Sequence, residues 1–515
     1  MANKFEQVKS AKDGLAVKSE IEDFARMGWE ALDKDDLEHR LKWIGIFYRK
    51  STPGKFMLRL RLPNGILNSH QLYFLASVIL PNGEDGVADI TTRQNLQLRG
   101  LQFGDLPEIL KGMERVGLTS VQSGMDNVRN ITGSPLAGID PTEVLDTRGL
   151  TRMVQDMITN CGQGNFDFSN LPRKFNIAIA GCRDNSVHAE INDLAFVPAL
   201  QEGQIGFNVL VGGFFSARRC AETVALNAWV KPEQVVDLCR AVLMIYRDHG
   251  LRLNRQKSRL MWLIEDWGLE VFRAEIEKQF GQPLSPAAPQ TEVTEAKRDL
   301  VGIFPQKQAG FHAVGLHVPV GRLRPQEMFA LARLADTYGN GEIRLTVEQN
   351  LILANIPTSR LQDLLAESLL ERFSPHPSSL RRGLVACTGN QFCNFALIET
   401  KNRALALMEA LEAELEISQT VRIHWTGCPN SCGQPQVAEI GLMGTTVRKD
   451  GQSVEAVDIY MGGEVGKDAK LGTRVLQGIP CADLKSVLRE LLIEHFGARS
   501  RAYEAPALLW DGRHW

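Results

Sequence analysis

No stretch of 18 or more apolar residues occurs in the chain, so no segment predicts a membrane-spanning helix. Neither sign of charge is in excess: 58 Lys+Arg against 61 Asp+Glu leave a formal net charge of −3. That balance excludes the strongly basic surface that bulk nucleic-acid binding needs. Cysteine is scarce and odd in number, nine among 515 residues, which argues against a disulfide framework. The opening residues MANKFEQVKSAKDGLAVKSEIEDF contain no apolar core of a secretory signal. Glu6, Asp13, Glu20, Glu22 and Asp23 also interrupt any acidic-poor transit peptide. A G-x-G-x-x-G turn after a strand and a Walker loop are both missing, so no nicotinamide-binding module is predicted. Together these absences predict a cytoplasmic protein.

What is present is ordinary globular composition, 44% hydrophobic and 23% charged, in a chain long enough for two to four domains. LSPAAPQTEVTE (284–295) has two prolines, small and polar residues and no apolar periodicity, and it divides the chain near its middle. The same order of segments stands on both sides. DITTRQNLQL (89–98) reads as a strand ending in polar residues, and EIRLTVEQNLIL (342–353) repeats it at an offset of 255. KFNIAIAGC (174–182) returns as TVRIHWTGC (420–428) at an offset of 246, and Val211-Gly212-Gly213 as Met461-Gly462-Gly463. Three matches in one order predict a duplicated, pseudo-twofold molecule with one site shared between its halves.

Each half holds two modules. FMLRLRLP (56–63) alternates as a strand and HQLYFLASVIL (70–80) has helical spacing; HAVGLHVPV (312–320) and PQEMFALARLADTYG (325–339) take these roles later. PEQVVDLCRAVLMIYRDHG (232–250) opens on Pro and closes on Gly as a helix should, and RALALMEALEAELE (403–416) is amphipathic. The mixture predicts an α+β fold rather than a doubly wound sheet. The expected division is an N-terminal helical segment (1–50), a first half-domain (51–150), a first α+β module (151–283), a linker (284–299), a second half-domain (300–375) and a second α+β module (376–515).

Four cysteines are paired: Cys387 and Cys393 as C-x5-C, Cys428 and Cys432 as C-x3-C, with 34 residues between the pairs. Four soft thiolates suit zinc or an iron–sulfur cluster. Structural zinc prefers pairs two to four residues apart, so the wider gap favours a cluster over zinc, with unliganded thiols as the remaining reading. Gly389, Gly427 and Gly433 leave room for a bulky cubane, and Pro429 follows Cys428 as a proline commonly follows a cluster cysteine. Cys161, Cys182, Cys220, Cys239 and Cys481 stand singly, as small buried hydrophobes do.

CTGNQFC followed by TGCPNSCGQ resembles the signature of the sirohaem nitrite and sulfite reductases. The resemblance extends through LRLRLPNG (58–65), TTRQNLQLRG (91–100), DNVRNITGSP (126–135), LPRKFNIAIAGC (171–182) and GFNVLVGGFFSARR (206–219). It implies a [4Fe–4S] cluster on Cys387, Cys393, Cys428 and Cys432, with Cys432 bridging to a sirohaem. It also implies an internally duplicated fold of ferredoxin-like and α+β modules. Ser186 stands where the first half would need a partner cysteine for Cys182, so that half is expected to carry no cluster.

Sirohaem is rich in carboxylates and calls for fixed cations, for which Arg is well suited. Arg93, Gln97 and Arg99 read as alternating along one strand and sharing a face, which the resemblance turns to the macrocycle. Arg219, Lys257 and Arg259 are further candidates. Toward the substrate, the resemblance points to Arg59, Arg129, Lys174 and Asn176. The last is a Lys in typical sulfite reductases and an Asn in typical nitrite reductases. One fewer cation suits nitrite, a monoanion, better than sulfite, largely a dianion. The resemblance thus implies six-electron reduction of nitrite to ammonium, with ferredoxin-dependent sulfite reduction as the nearest rival. Electrons are expected singly from ferredoxin, docked on a basic face to which Lys401, Arg403, Lys467, Lys470 and Arg474 are assigned. A monomer suffices for such transfer, and neither nucleic acid nor membrane is an expected partner.

Overall fold

The computed structural model describes residues 3–501, so the first two residues of the N-terminal segment and residues 502–515 of the last module lie outside the description. Four five-stranded sheets organise the chain. The first runs Ile46–Tyr48, Lys55–Arg59, Leu96–Gln102, Ala88–Ile90 and Arg322–Leu323. The second runs Gly302–Pro305, Phe311–Leu316, Leu351–Pro357, Glu342–Leu345 and Ile66–Asn68. Each sheet therefore takes its fifth strand from the other half, Arg322 opposite Asp89 and Asn68 opposite Glu342.

The helices Ser69–Ile79 and Pro325–Tyr338 pack together and place Leu75 and Leu331 in one apolar core with Leu58, Leu98, Leu316 and Leu353. Asn68 starts the first helix with a capping box to Gln71, and Pro325 opens the second, where its missing N–H costs nothing. A core drawn from both halves cannot form from either alone, which is why the duplication folds as one body.

The third sheet has the order Val224–Val230, Gln204–Val211, Leu194–Gln201, Ile177–Ile179, Thr132–Gly133. The fourth repeats it as Thr473–Pro480, Gln452–Met461, Ile440–Lys449, Ile423–Thr426, Leu384–Ala386. In both, the last three strands pair in parallel and the others antiparallel. Between Phe280 and Gly302 there is neither helix nor strand; Ser285 and Thr291 bridge to Trp229 and Ala199 along the third sheet.

One local expectation is corrected. Residues 89–98 are not a single strand but two, Ala88–Ile90 and Leu96–Gln102, joined by a turn in which Thr91 N–H donates to Asn95 O at 2.9 Å. The turn needs Gln94 at φ +52°, and Gln349 repeats it at φ +64°. Local sequence does not favour such angles for glutamine; tertiary hydrogen bonds hold them. Gln94 Nε2 donates to Gly133 O (2.9 Å) and Leu345 O (3.2 Å), while its Oε1 accepts from Gly133 N. Gln349 Nε2 donates to Ile90 O (3.0 Å), and its Oε1 accepts from Ala386 N. Each side chain thus secures its turn to the opposite half. Arg93 consequently lies in the turn, not on the strand that carries Gln97 and Arg99.

Candidate active site

A cleft of about 1060 Å³, counted to its open mouth, lies between the halves. Its lining brings together Arg59, Arg93, Gln97, Arg129, Lys174 and Asn176 from the first half with Cys387, Lys401 and Cys432 from the second. Asp89 is the sole carboxylate among the described lining residues. It is already engaged by Arg99 (2.7 Å), Arg322 (3.0 Å) and Lys401 (3.7 Å). The cleft is therefore strongly cationic.

Burial lowers the Arg59 and Arg93 guanidinium pKa values to about 10 and that of the Lys174 ammonium to about 7, with Arg259 adding to the effect on Lys174. Arg129 is also lowered, first by burial and then by Arg59. Their hydrogen bonds go to neutral groups: Arg59 to Ser123 O (3.3 Å), Arg129 to Asn127 O (3.4 Å) and Arg93 to Asn192 Oδ1 (2.9 Å). Cations held out of water without acid partners are costly alone and favourable once anions enter. Asn176 is 7% exposed and receives its position from its own N–H, which donates to Asp193 Oδ2 at 2.8 Å. Its Oδ1 is buried without a partner, an unmet bonding capacity beside the cleft.

The four paired cysteines gather below this face. Cys387 Sγ accepts from Gly427 N at 3.1 Å and Cys428 Sγ from Asn430 Nδ2 at 3.5 Å. Cys432 is exposed, but to the cleft, where burial pushes its thiol up to about 12 and its three fellow cysteines add to the effect. Metal ligation would make such a thiol a thiolate at neutral pH. Among the described residues no three His, Cys, Asp or Glu side chains converge as around one ion. A cubane sets its ligands on separate irons, further apart, and this donor set fits it better than zinc. A Cβ at Gly433, next to Cys432, would stand 2.3 Å from Trp425 O, so only glycine lets the loop close there.

Comparison with known proteins gives the same result by a different route. The family model described as the nitrite and sulphite reductase 4Fe-4S domain matches residues 124–284 and again 378–504. The nitrite/sulfite reductase ferredoxin-like half domain matches 48–116 and 304–369. The chain belongs to the nitrite and sulfite reductase family. Ferredoxin–nitrite reductase of Leptolyngbya laminosa is 66% identical over 97% of this chain and 98% of its own. The enzyme of that name from Synechococcus elongatus is 62% identical with the same coverage, and the chloroplastic one of Zea mays 53% over 98% and 91%. The solved Mycobacterium tuberculosis NirA protein superposes with a TM-score of 0.88 at 32% identity, covering 97% of this chain and 94% of that one. Both models matching twice confirms the duplicated α+β fold. With the family come its cofactors, a [4Fe–4S] cluster and sirohaem, and the cationic cleft above four thiols suits both.

Not every residue expected at the site reaches it. Arg99 lies buried beside the cleft, bonded to Asp89, Gln97 and Thr388, in a recess with Phe392. Arg259 forms a buried two-pronged pair with Asp193, the carboxylate that holds Asn176. Arg219 and Lys257 lie outside the lining, over the Trp262 ring, with Arg219 paired to Glu265 at 2.6 Å. The docking assignments change more. Lys401 is 1% exposed and turned inward, so it cannot meet a protein partner. Arg403, Lys470 and Arg474 are paired with Glu455, Glu464 and Asp458. Lys401 carried a signal in the sequence, since a lysine in a helix's first turn opposes the helix dipole. Gln434, Thr388 and Ser431 also line the cleft and gave no such signal.

A larger cavity, about 2360 Å³ by the same measure, lies by the helices Val17–Met27, Leu106–Arg115 and Arg148–Thr159. It contains neither cysteine pair, and its carboxylates are satisfied: Glu22, Asp146 and Asp156 by Lys111, Arg148 and Arg152, Glu342 by Arg344, and Glu114 by the Gln163 amide.

Proposed function

We infer that the chain is a ferredoxin-dependent nitrite reductase, taking nitrite to ammonium with six electrons in nitrate assimilation. The observation that carries the substrate is Asn176 beside Lys174 in the cleft, where a second lysine would favour sulfite. Curated relatives named ferredoxin–nitrite reductase at 62–66% identity support nitrite over sulfite and ferredoxin as donor.

In this reading Cys387, Cys393, Cys428 and Cys432 would hold the cluster, and Cys432, which lines the cleft, would also serve the sirohaem. Arg93, Gln97 and Lys401 face the macrocycle's carboxylates, while Arg99 and Arg259 act indirectly, through Asp89 and Asp193. Arg219 and Lys257, outside the lining of the cleft, remain further candidates for the macrocycle's carboxylates. When bound, the two cofactors would relay to nitrite the electrons that ferredoxin supplies. Arg59, Arg129 and Lys174 attract the anion and compensate its charge in a setting where each is worth more than in water. Lys174, titrating near neutrality, can give a proton and recover one, as a general acid must. Asn176 orients the anion without adding charge. Domain limits are proposed at 50, 150, 283, 299 and 375, with the strand Thr132–Gly133 reaching from the first half-domain into the third sheet, and a cytoplasmic monomer is sufficient for one-electron delivery to a single cleft.

The test is turnover with reduced ferredoxin on nitrite and on sulfite, together with a visible spectrum and iron and acid-labile sulfide assays. Strong preference for nitrite, sirohaem bands and roughly five irons per chain are expected. A colourless protein, or one that prefers sulfite, overturns the reading.

A further inference from the structure

Asp126 lies completely buried, 0% exposed, three residues before Arg129. Its carboxylate draws three segments of chain onto one point. Arg255 grips it with two hydrogen bonds, Nη2 to Oδ1 at 2.7 Å and Nη1 to Oδ2 at 2.8 Å. Lys9, from the helix Lys4–Ala11, donates to Oδ2 at 3.3 Å. Arg173, the neighbour of Lys174, stands 3.8 Å away. The main chain around it is laced to the Lys174 segment: Leu171 N donates to Asp126 O, Phe175 N to Asn127 O, and Arg129 N to Phe175 O at 2.8 Å. Lys9 adds a bond to Leu171 O at 3.0 Å. The two segments that carry Arg129 and Lys174 are thus tied at one end by Asp126 and its cations.

The arrangement has an electrostatic oddity. Arg129, Lys174 and Arg59 gather to attract an anion, yet a buried carboxylate stands on the chain beside them. As a charge alone it opposes nitrite binding. Its location makes sense if it fixes geometry: it holds buried Lys9, which also pairs with Glu6, and half-buried Arg255, and without it Lys9, Arg255 and Arg173 lose the shared carboxylate that joins their segments. We propose that Asp126 is a positioning residue, which sets the spacing of Arg129 and Lys174 by clamping their segments to the N-terminal helix and to Arg255.

The proposal rests on the assignment of Arg129 and Lys174 to nitrite, and its test separates the two. Nitrite affinity is measured on oxidised holoenzyme by titrating the visible spectrum, without turnover. For Asp126→Asn, loss of a negative charge alone tightens nitrite binding, whereas loss of positioning weakens it; a weakening of about tenfold or more is expected. Asp126→Glu keeps the charge and lengthens the arm, so it is the better-folding variant. Positioning predicts several-fold weaker binding there too, and a pure charge role predicts none. Asp36→Asn, which breaks a buried pair with Arg40 inside the N-terminal segment, serves as a stability control expected to leave nitrite affinity unchanged. Arg129→Ala is measured alongside. If Arg129→Ala weakens binding while both Asp126 variants bind nitrite as tightly as the parent or tighter, the positioning role falls alone. If Arg129→Ala also has no effect, the assignment of Arg129 falls with it.

Discussion

His188 and Gln434 occupy equivalent places in the two halves, 246 residues apart, and touch: His188 Nδ1 lies 3.1 Å from Gln434 Oε1. Both are in the left-handed region, φ +51° and +58°, a costly conformation for side-chain-bearing residues. The contact joins the loop after Cys182 to the loop after Cys432, one without a partner cysteine and one with it. Gln434 also lines the cleft, and its O accepts the approach of His424 Nδ1 at 3.1 Å. The pseudo-twofold thus runs beside the cleft, and the half without a second cysteine braces the half that carries both pairs.

Replacing Cys432 by Ser should abolish both activity and normal cofactor content, because a hard hydroxyl is a poor replacement for a thiolate on iron. Cys239→Ser offers the contrast. Cys239 is fully buried in the first α+β core, so only stability should fall, by about 1 kcal/mol, with cofactors intact. Iron, sulfide and the visible spectrum measure the first outcome and thermal unfolding the second.

Asn176→Lys should move selectivity toward sulfite. At an effective dielectric near 20, a cation about 4 Å away is worth a few kcal/mol for each unit of substrate charge, and it acts twice on a dianion. Desolvation of the new lysine consumes part of the gain. The nitrite-to-sulfite ratio of kcat/KM should fall about tenfold or more, read with a chemical reductant so that docking does not enter. An unchanged ratio would show that Asn176 does not face the anion.

Nitrite kcat/KM should decline as pH rises through neutrality. Burial lowers Lys174 from the ordinary lysine value to about 7, so its cation prevails below that pH and is lost above it. The profile reports the free enzyme, since bound anion would raise the value again. Lys174→Met should lower activity and remove the transition; a transition that survives the substitution belongs to another group.

Asp89→Asn should destabilise the fold by about 3–5 kcal/mol, because Arg99, Arg322 and Lys401 would be left facing one another in a buried site. The same cations hold the Asp89 carboxyl well below the usual carboxylate range, although burial by itself would raise it. A depressed carboxylate contributes stability that is present at neutral pH and is lost as pH falls below the ordinary aspartate value. Denaturant unfolding at neutral and acid pH should show an acid loss smaller in the variant by the Asp89 share alone, since Asp126, Asp140 and Glu348 are held below the ordinary carboxylate range as well.

The chemistry of the site was legible in the chain because it depends on residue type and spacing. Four thiols in two close pairs announce soft metal ligation wherever they fold, and the paired repeats announce two halves. Lys174 and Asn176, two residues apart, could be placed on one side by the strand period alone. The misreading of residues 89–98 has a clear cause. Thr-Thr-Arg-Gln-Asn carries no glycine to mark a left-handed turn, and the bonds that hold Gln94 there come from Gly133 and Leu345, remote in sequence.

The sequence by itself determined the paired thiols and the duplication, since each is written in local pattern, whereas the cations proposed for the substrate came from resemblance to a family. Only the tertiary structure decided which charges are free. Lys401 reads as a surface lysine until the fold buries it over Asp89, and Arg219 reads as an unpaired cation until the fold sets it against Glu265. A charge's role depends on its distance from other charges and from water, and those distances exist only once segments far apart in the chain have been brought together.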